Sequence, residues 1–160
     1  MLDTPLTRAD LVTFFSLAPK PPSMDPDKRP DPRPLTRVLR DLGMALRGGT
    51  TRWPVVWRAL GLAEEQDPAH HAALMTPLLT AREVADLVGV LDPSIIYRWA
   101  KGKVPQGAGP FPCAIDLSGG RKDARAKRWR RAEVLAWHMG QPQPLYAKPA
   151  PVFGTIRPTP

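Results

Sequence analysis

The sequence predicts a mainly α-helical protein with one small β-hairpin in its C-terminal half. Apolar residues recur at helical spacing in several short segments between residues 4 and 139. Residues 111–117 alternate partly between apolar and polar, and a Ser-Gly-Gly turn and a basic segment follow them. The 21 prolines among 160 residues keep two further segments out of regular structure.

Positive charge is concentrated in the second half of the chain. The formal net charge is +8; residues 1–75 contain 10 Lys or Arg against 9 Asp or Glu, whereas residues 76–160 contain 13 against 6. A basic half on a near-neutral chain favours a polyanionic partner, and nucleic acid above all. A charged surface that only maintains solubility is the alternative interpretation.

Cysteine content and hydropathy limit the compartment. Cys113 is the only cysteine, so no intrachain disulfide can form, which is typical of a reducing compartment. The sequence contains no apolar run of the roughly 18 residues that a membrane span needs. A basic region followed by an apolar one is absent at the N-terminus, so we expect no secretory signal and no membrane partner. We expect a cytoplasmic, nucleoid-associated protein.

The first 34 residues predict a short helical arm (1–18) followed by a linker (19–34). Thr7 and Asp10 have the spacing of a capping box, and an apolar stripe follows them. The linker contains seven prolines among charged residues. Proline at this density prevents helix formation and strand pairing, so an extended linker is expected.

Residues 35–75 predict a small helical module of three helices. The first covers residues 35–47 and ends at two glycines. Thr50 or Thr51 can cap the second helix, with Pro54 in its first turn. The third covers residues 67–75, where the Asp67 side chain can act as the N-cap.

Residues 76–140 begin with two short helices joined by a tight turn. Thr80 and Glu83 form a second predicted capping box. Gly89 stands where the chain must turn sharply, which glycine does without a Cβ penalty. Asp92 can cap the second helix, with Pro93 as its first residue. This pattern predicts a helix–turn–helix.

The second helix of the pair is the candidate DNA-reading element. Ile96, Trp99 and Ala100 share one face at helical spacing and are expected to point inward. The outer residues are predicted to contact DNA: Ser94, Ile95, Tyr97, Arg98 and Lys101, with Lys103 just beyond. Arginine pairs with guanine, isoleucine touches a thymine methyl, and lysines contact phosphates. Core packing is the alternative for the tyrosine.

The hairpin predicts a basic wing beside the helix pair. Its strands are residues 111–117 and 127–130, and its six basic residues are Arg121, Lys122, Arg125, Lys127, Arg128 and Arg130. Such a tip can lie on the phosphate backbone or enter the minor groove, whereas a solvated charged hairpin is the alternative. A closing helix over 132–139 and an irregular proline-rich tail (141–160) follow. Together, residues 76–140 predict a winged helix–turn–helix domain.

Four ordered motifs carry a resemblance to a known family. They are Leu-Leu-Thr-Ala-x-Glu-Val-Ala-x-Leu-x-Gly-Val from residue 78, Ser-x-Ile-Tyr-Arg-Trp from 94, Arg-Trp-Arg from 128 and Glu-Val-x-x-Trp from 133. Residues 78–139 thus resemble the AlpA-type regulators and phage excisionases, whose fold is a MerR-like winged helix–turn–helix. The resemblance implies sequence-specific binding of double-stranded DNA by a transcriptional regulator, a recombination directionality factor, or both, from a phage or mobile element.

The family's roles fall on particular residues of this chain. The recognition-helix role falls on Ser94, Ile95, Tyr97, Arg98 and Lys101, and the wing role on Arg121, Lys122, Arg125 and Lys127. The connector 102–110 and the loop 118–126 are longer than the family pattern. The first 75 residues have no counterpart in its minimal members, which suggests an added role in oligomerisation or partner binding.

The expected partners are double-stranded DNA and further copies of the chain, as a dimer or a cooperative array on DNA. An integrase or recombinase, or RNA polymerase, is a further possible partner. Two alternative functions stay open. One is a DNA-recognition subunit of a larger machine, similar to a phage small terminase, and the other is a protein-interaction adaptor.

No catalytic set stands out in the sequence. His70 and His71 are adjacent and His138 is distant, while a single cysteine gives no zinc-ligand spacing. The glycine pairs lack the rest of a phosphate-binding loop. We therefore expect no enzymatic activity, no cofactor and no metal site.

Overall fold

The structure is a computed structural model, and it describes residues 2–17, 33–121 and 123–150. Most of the predicted linker, Lys122 and the last ten residues of the predicted tail lie outside these ranges. The described elements are α1 (Arg8–Phe14), α2 (Arg33–Leu42), α3 (Trp53–Ala59), α4 (Pro68–Met75), α5 (Ala81–Val88), α6 (Ser94–Ala100), β1 (Ile115–Asp116), a 3₁₀ turn (Ala124–Ala126), β2 (Lys127–Arg128) and α7 (Arg131–His138). The protein is thus mainly helical with a small two-stranded antiparallel sheet, as the sequence predicts.

Two helices begin at the predicted capping boxes. At α1, the Thr7 Oγ1 accepts from the Asp10 N–H at 3.2 Å, and the Asp10 carboxylate accepts from the Thr7 N–H at 2.8 Å. Thr80 and Glu83 make the same reciprocal pair at α5, at 3.2 and 3.1 Å. Each box satisfies backbone donors that the first helical turn leaves free, so the local sequence alone fixes where these helices start.

The predicted bounds of α2 and α3 are wrong. Gly43, at φ 70°, follows α2 directly, so the helix ends at Leu42, five residues before its predicted end at residue 47. Arg52 is the N-cap of α3, without a side-chain cap. Thr51 does not cap because it exchanges two backbone hydrogen bonds with Leu6, at 2.7 and 3.0 Å. This contact with the N-terminal arm competes with the local cap.

The first core joins the arm, the helical module and the hairpin. Its buried residues come from the segment between residues 6 and 56, in and around α1 to α3, and they also include Leu78, just before α5, and Leu117, just after β1. Leu11, Phe15 and Val56 are fully buried there. The arm, the helical module and the hairpin, which the sequence predicts to belong to three separate domains, therefore share one core.

The second core lies under the helix pair α5–α6. Val84, Ile96, Trp129 and Val134 are fully buried and bring α5, α6, the end of the hairpin and α7 together. Leu79 and Trp129 exchange backbone hydrogen bonds at 2.8 and 3.0 Å, which fixes β2 to the entry of α5. The helix pair is thus positioned by the hairpin behind it.

The described part of the tail packs on α3 and α4. Residues 141–150 are irregular, as predicted. The Gln66 amide donates to the Ala147 carbonyl at 2.7 Å and accepts from the Ala147 N–H at 2.9 Å. Tyr146 packs against a cluster that contains Trp57 and Leu74. Side-chain bonds of this kind replace the regular structure that proline forbids.

Candidate nucleic-acid interface

The turn between α5 and α6 has the predicted geometry. Gly89 ends α5 in the left-handed region, at φ 82° and ψ 25°, where an L side chain is strained. The Asp92 carboxylate accepts from the Ser94 N–H at 2.9 Å, and α6 begins at Ser94 with Pro93 at its N-cap. The helix therefore starts one residue later than expected, with the predicted aspartate at its entry.

The inner face of α6 is held by aromatic packing. Ile96 is fully buried, and the Trp99 ring lies 5.7 Å from Phe111 and 4.9 Å from Trp137, centre to centre. Ala100 is exposed, contrary to expectation, so the inner face narrows at the last turn of the helix. The Trp137 indole also donates to the Gly109 carbonyl at 2.8 Å and thereby fixes the long connector.

The outer face of α6 presents a strip of exposed polar and basic residues. Ser94, Arg98 and Lys101 are exposed and, at spacings of four and three, lie on one side of the helix. Lys103 is exposed just beyond. Among the described residues, Arg98, Lys101 and Lys103 make no ion pair within 4 Å. We call these four residues the α6 strip.

Two further candidates border the α6 strip. Ile95 and Tyr97 are half-buried, and the Tyr97 ring lies 6.2 Å from the Trp129 ring. The Tyr97 side chain can therefore both pack in the core and contact a ligand at the surface. A hydrogen bond from the Ser94 backbone lowers the pKa of Asp92, helped by the nearby Arg98. The negative charge of Asp92 thus lies beside the start of the strip.

Arg128 is buried and bound by its own chain, which does not favour its predicted role as a DNA contact. Its side chain is buried, and its guanidinium donates to four backbone carbonyls: Phe15 at 2.8 Å, Ser16 at 3.3 Å, Arg125 at 2.7 Å and Lys127 at 2.9 Å. Burial lowers its pKa, yet a guanidinium stays charged at neutral pH. The residue ties the end of α1 to the hairpin.

Arg130 is also largely buried, which does not favour its predicted role as a DNA contact. Its side chain is only 10% exposed, it lies 3.7 Å from the Glu133 carboxylate, and its guanidinium stands 5.5 Å from the centre of the Tyr146 ring. Burial raises the pKa of Glu133, and the neighbouring Arg130 opposes that shift.

The hairpin turn is bound to α2. The Arg121 guanidinium lies 2.5 Å from the Asp41 carboxylate, and a Cβ on Gly119 would come within 3.1 Å of the Asp41 Cβ. The Asp116 carboxylate closes the turn by accepting from the Ser118 and Gly120 N–H groups at 2.9 and 3.1 Å. The turn predicted to reach DNA freely is thus held by its own chain.

The remaining basic residues of the hairpin are accessible. Arg125 is 91% exposed and lies 3.5 Å from the Asp123 carboxylate, while Lys127 is half-buried. Lys122 lies outside the described residues. Of the described hairpin positions predicted to contact DNA, Arg125 therefore remains exposed and Lys127 is partly exposed.

Asp41 and Tyr146 contact basic residues of this surface, but no pattern in the sequence predicts these contacts. Asp41 is 80 positions from Arg121, and Tyr146 lies in a proline-rich segment. Neither belongs to a motif, because both act through contacts between distant parts of the chain.

The histidines and the single cysteine do not come together in a site. His70 packs on Tyr146 at 5.1 Å, and the His71 ring lies 3.0 Å from the Gln66 carbonyl. Cys113 is an exposed free thiol. Within residues 2–17, 33–121 and 123–150, no cluster of three or more His, Cys, Asp or Glu could hold a metal ion. No helix in the same ranges combines the length and the apolar character that crossing a membrane requires.

Comparison with protein-family models, with curated protein sequences and with solved structures finds no match for this chain. Membership of the AlpA-type family stays a prediction from the motifs. The case for a function therefore depends on the chemistry of the α6 strip.

Proposed function

We propose that the protein binds double-stranded DNA in a sequence-specific manner through a winged helix–turn–helix formed by α5, α6 and the hairpin. The observation that carries the proposal is the α6 strip: Ser94, Arg98 and Lys101 are exposed on one side of a helix whose other side is locked into a core. A recognition helix needs this division between an anchored face and a free one.

The basic residues of the strip and the neighbouring Ile95 have roles that follow from their chemistry. The Arg98 guanidinium can fork onto the O6 and N7 atoms of guanine, and the exposed part of Ile95 can touch a thymine methyl. Lys101 and Lys103 are point charges that suit phosphates and fix the position of the helix without reading sequence. Specificity therefore depends chiefly on Arg98.

The hairpin makes a smaller contribution than its charge suggests. Arg125 and Lys127 can reach phosphates flanking the groove, whereas Arg128 and Arg130 hold the fold together. The N-terminal half positions the hairpin through Arg128 and Asp41, which makes it part of the DNA-binding body. The resemblance of residues 78–139 to the AlpA-type family, and not the contacts of the hairpin, leads us to propose a transcriptional regulator or an excision factor of a phage or mobile element that assembles on DNA in more than one copy.

Selection from a pool of duplexes with a randomised core tests the proposal. The wild-type chain is expected to enrich a consensus site. Arg98→Ala should weaken binding to that site by roughly 1–3 kcal/mol and relax the preference for one guanine. Lys101→Ala should weaken binding to all duplexes about equally and reduce the slope of log K against log salt by about 1.

Arg47→Ala is the matched control, because Arg47 is an exposed arginine of the N-terminal half. It should leave both the consensus site and the salt slope unchanged. A selection that returns no consensus, or an Arg98→Ala variant that keeps the full preference, contradicts the recognition role of α6. If no duplex binds at any salt concentration, DNA binding itself is excluded and a protein-interaction adaptor becomes the better interpretation.

A further inference from the structure

A groove of about 860 Å³ lies on the N-terminal half of the chain. The end of α2, the connecting segment 43–52 and α3 line it, together with Pro5 of the arm and Glu64 beyond α3. Its volume falls within the range of ligand-binding clefts, roughly 300–1,000 Å³. None of the residues assigned to DNA reading lines it, so the groove takes no part in the proposed contact of α6 with DNA.

The charged side chains of this groove are mostly arginines. Arg47, Arg52 and Arg58 are exposed, and with Glu64 as the one acidic residue the lining has a net charge of +2, three positive minus one negative. Glu64 is already paired with Arg58 at 2.9 Å. Among the described residues, Arg47 and Arg52 make no ion pair within 4 Å. Both guanidinium groups are therefore in contact with solvent and can bind an anionic partner.

Apolar side chains and free backbone groups form the rest of the wall. Leu42, Val55 and Ala59 are half-buried in the groove, and Met44 is buried in the first core. Ala45 is exposed, and its backbone N–H and C=O make no hydrogen bond within the described part of the chain. Such groups can pair with the backbone of an extended peptide. The groove thus combines positive charge, apolar wall and backbone donors and acceptors.

We propose that this groove binds a short acidic peptide segment of a partner protein, whose carboxylates pair with Arg47 and Arg52 and whose apolar side chains cover the wall. A carboxylate matches the planar fork of a guanidinium. The phosphate backbone of duplex DNA matches the charge of the groove but has no apolar side chains to place against the wall, so a peptide is favoured over DNA. The proposal does not depend on DNA binding, since it concerns different residues.

Selection of peptides on the immobilised full chain, from a displayed library of random 12-residue sequences, tests the proposal. Peptides that combine Asp or Glu with Leu, Ile or Phe are expected to be enriched. The enriched peptide, synthesised with a fluorescent label, should bind with a dissociation constant on the order of 10 μM in anisotropy titrations. Replacing its acids by Asn and Gln, or its apolar residues by Ser, should weaken binding in each case.

Arg47→Ala combined with Arg52→Ala tests the location of the site. This double variant should bind the enriched peptide about 4- to 25-fold more weakly, because each exposed ion pair contributes a factor of about 2 to 5. Arg37→Ala is the matched control, since Arg37 is an exposed arginine of the same half that does not line the groove. It should leave peptide affinity unchanged. Arg98→Ala should also leave it unchanged, because the α6 strip is a separate surface.

Four results would overturn the proposal. They are a selection that enriches no acidic and apolar peptides, equal peptide affinity of the double variant and the wild type, a loss of peptide affinity in Arg98→Ala as large as in the double variant, and full affinity of a peptide without its apolar residues. A double variant that loses affinity for duplex DNA as strongly as for the peptide would make the groove a DNA contact, which likewise contradicts the proposal.

Discussion

Replacement of Arg128 by methionine tests whether this residue supports the fold or contacts DNA. Methionine keeps the length and apolar bulk of the side chain but removes every donor. The change cuts the contact between the end of α1 and the hairpin, because the guanidinium donates to the Phe15 carbonyl at 2.8 Å and to the Ser16 carbonyl at 3.3 Å. We expect a less stable protein.

The magnitude follows from the hydrogen bonds lost. Hydrogen bonds from a charged donor contribute about 1.5–3 kcal/mol each, and the bonds to Phe15 at 2.8 Å and Arg125 at 2.7 Å have the best distances. Removing the guanidinium also removes the cost of burying its charge, which offsets part of the loss. A net destabilisation of roughly 2–4 kcal/mol is expected, equivalent to a fall of roughly 4–16 °C in Tm for a chain of this size.

Urea unfolding followed by tryptophan fluorescence measures this change, since Trp57 and Trp129 are buried in two different clusters. Arg125→Met is the matched control because Arg125 belongs to the same loop and is 91% exposed with one surface ion pair. It should change the free energy of unfolding by no more than about 1 kcal/mol. Equal stability of the two variants, with DNA affinity lost only in Arg128→Met, would refute the structural role.

Two further changes test the electrostatics. Asp41→Asn removes the carboxylate that binds Arg121. The affinity for duplex DNA should therefore rise about 2- to 5-fold, and the slope of log K against log salt should steepen by about 1. An unchanged slope would mean that Arg121 does not reach a phosphate. Burial raises the folded-state pKa of Glu133 above 4.5, so the folded chain binds this proton more readily than the unfolded chain. The contribution of Glu133 to stability therefore falls as pH rises from 4.5 through the raised pKa. Glu133→Gln should remove that slope from the pH dependence of Tm. Identical pH profiles of Tm for the variant and the wild type would contradict the burial of this carboxyl group.

Features that depend on neighbours in sequence were predictable. The capping boxes at Thr7 and Thr80 need only a residue three positions on, and Gly89 needs only its own backbone conformation. The exposure of Arg98 and Lys101 follows from helical period once Ile96 is placed inside. These local rules placed α5, α6 and the α6 strip almost entirely.

Features that depend on distant segments were not predictable. The N-cap of α3 differs from the prediction because the backbone of Thr51 is hydrogen-bonded to Leu6, which lies 45 positions earlier. Two predicted contact residues of the hairpin are largely buried. Arg128 donates to the carbonyls of Phe15 and Ser16, and Arg130 lies beside Glu133 and the Tyr146 ring. No local pattern encodes such contacts, since they depend on how the segments pack.

These contacts change what the charge of the hairpin means. Six basic residues within ten positions indicate a free cationic surface if the charges are simply counted. However, backbone carbonyls solvate the charged guanidinium of Arg128, and Arg130 and Arg121 each lie beside a carboxylate. Charges that are already solvated by their own chain release no counterions from DNA, so they add little to binding. The affinity of the proposed complex should therefore follow the α6 strip more closely than the hairpin. The salt slope of the wild-type protein should correspondingly be smaller than the net charge of +8 suggests.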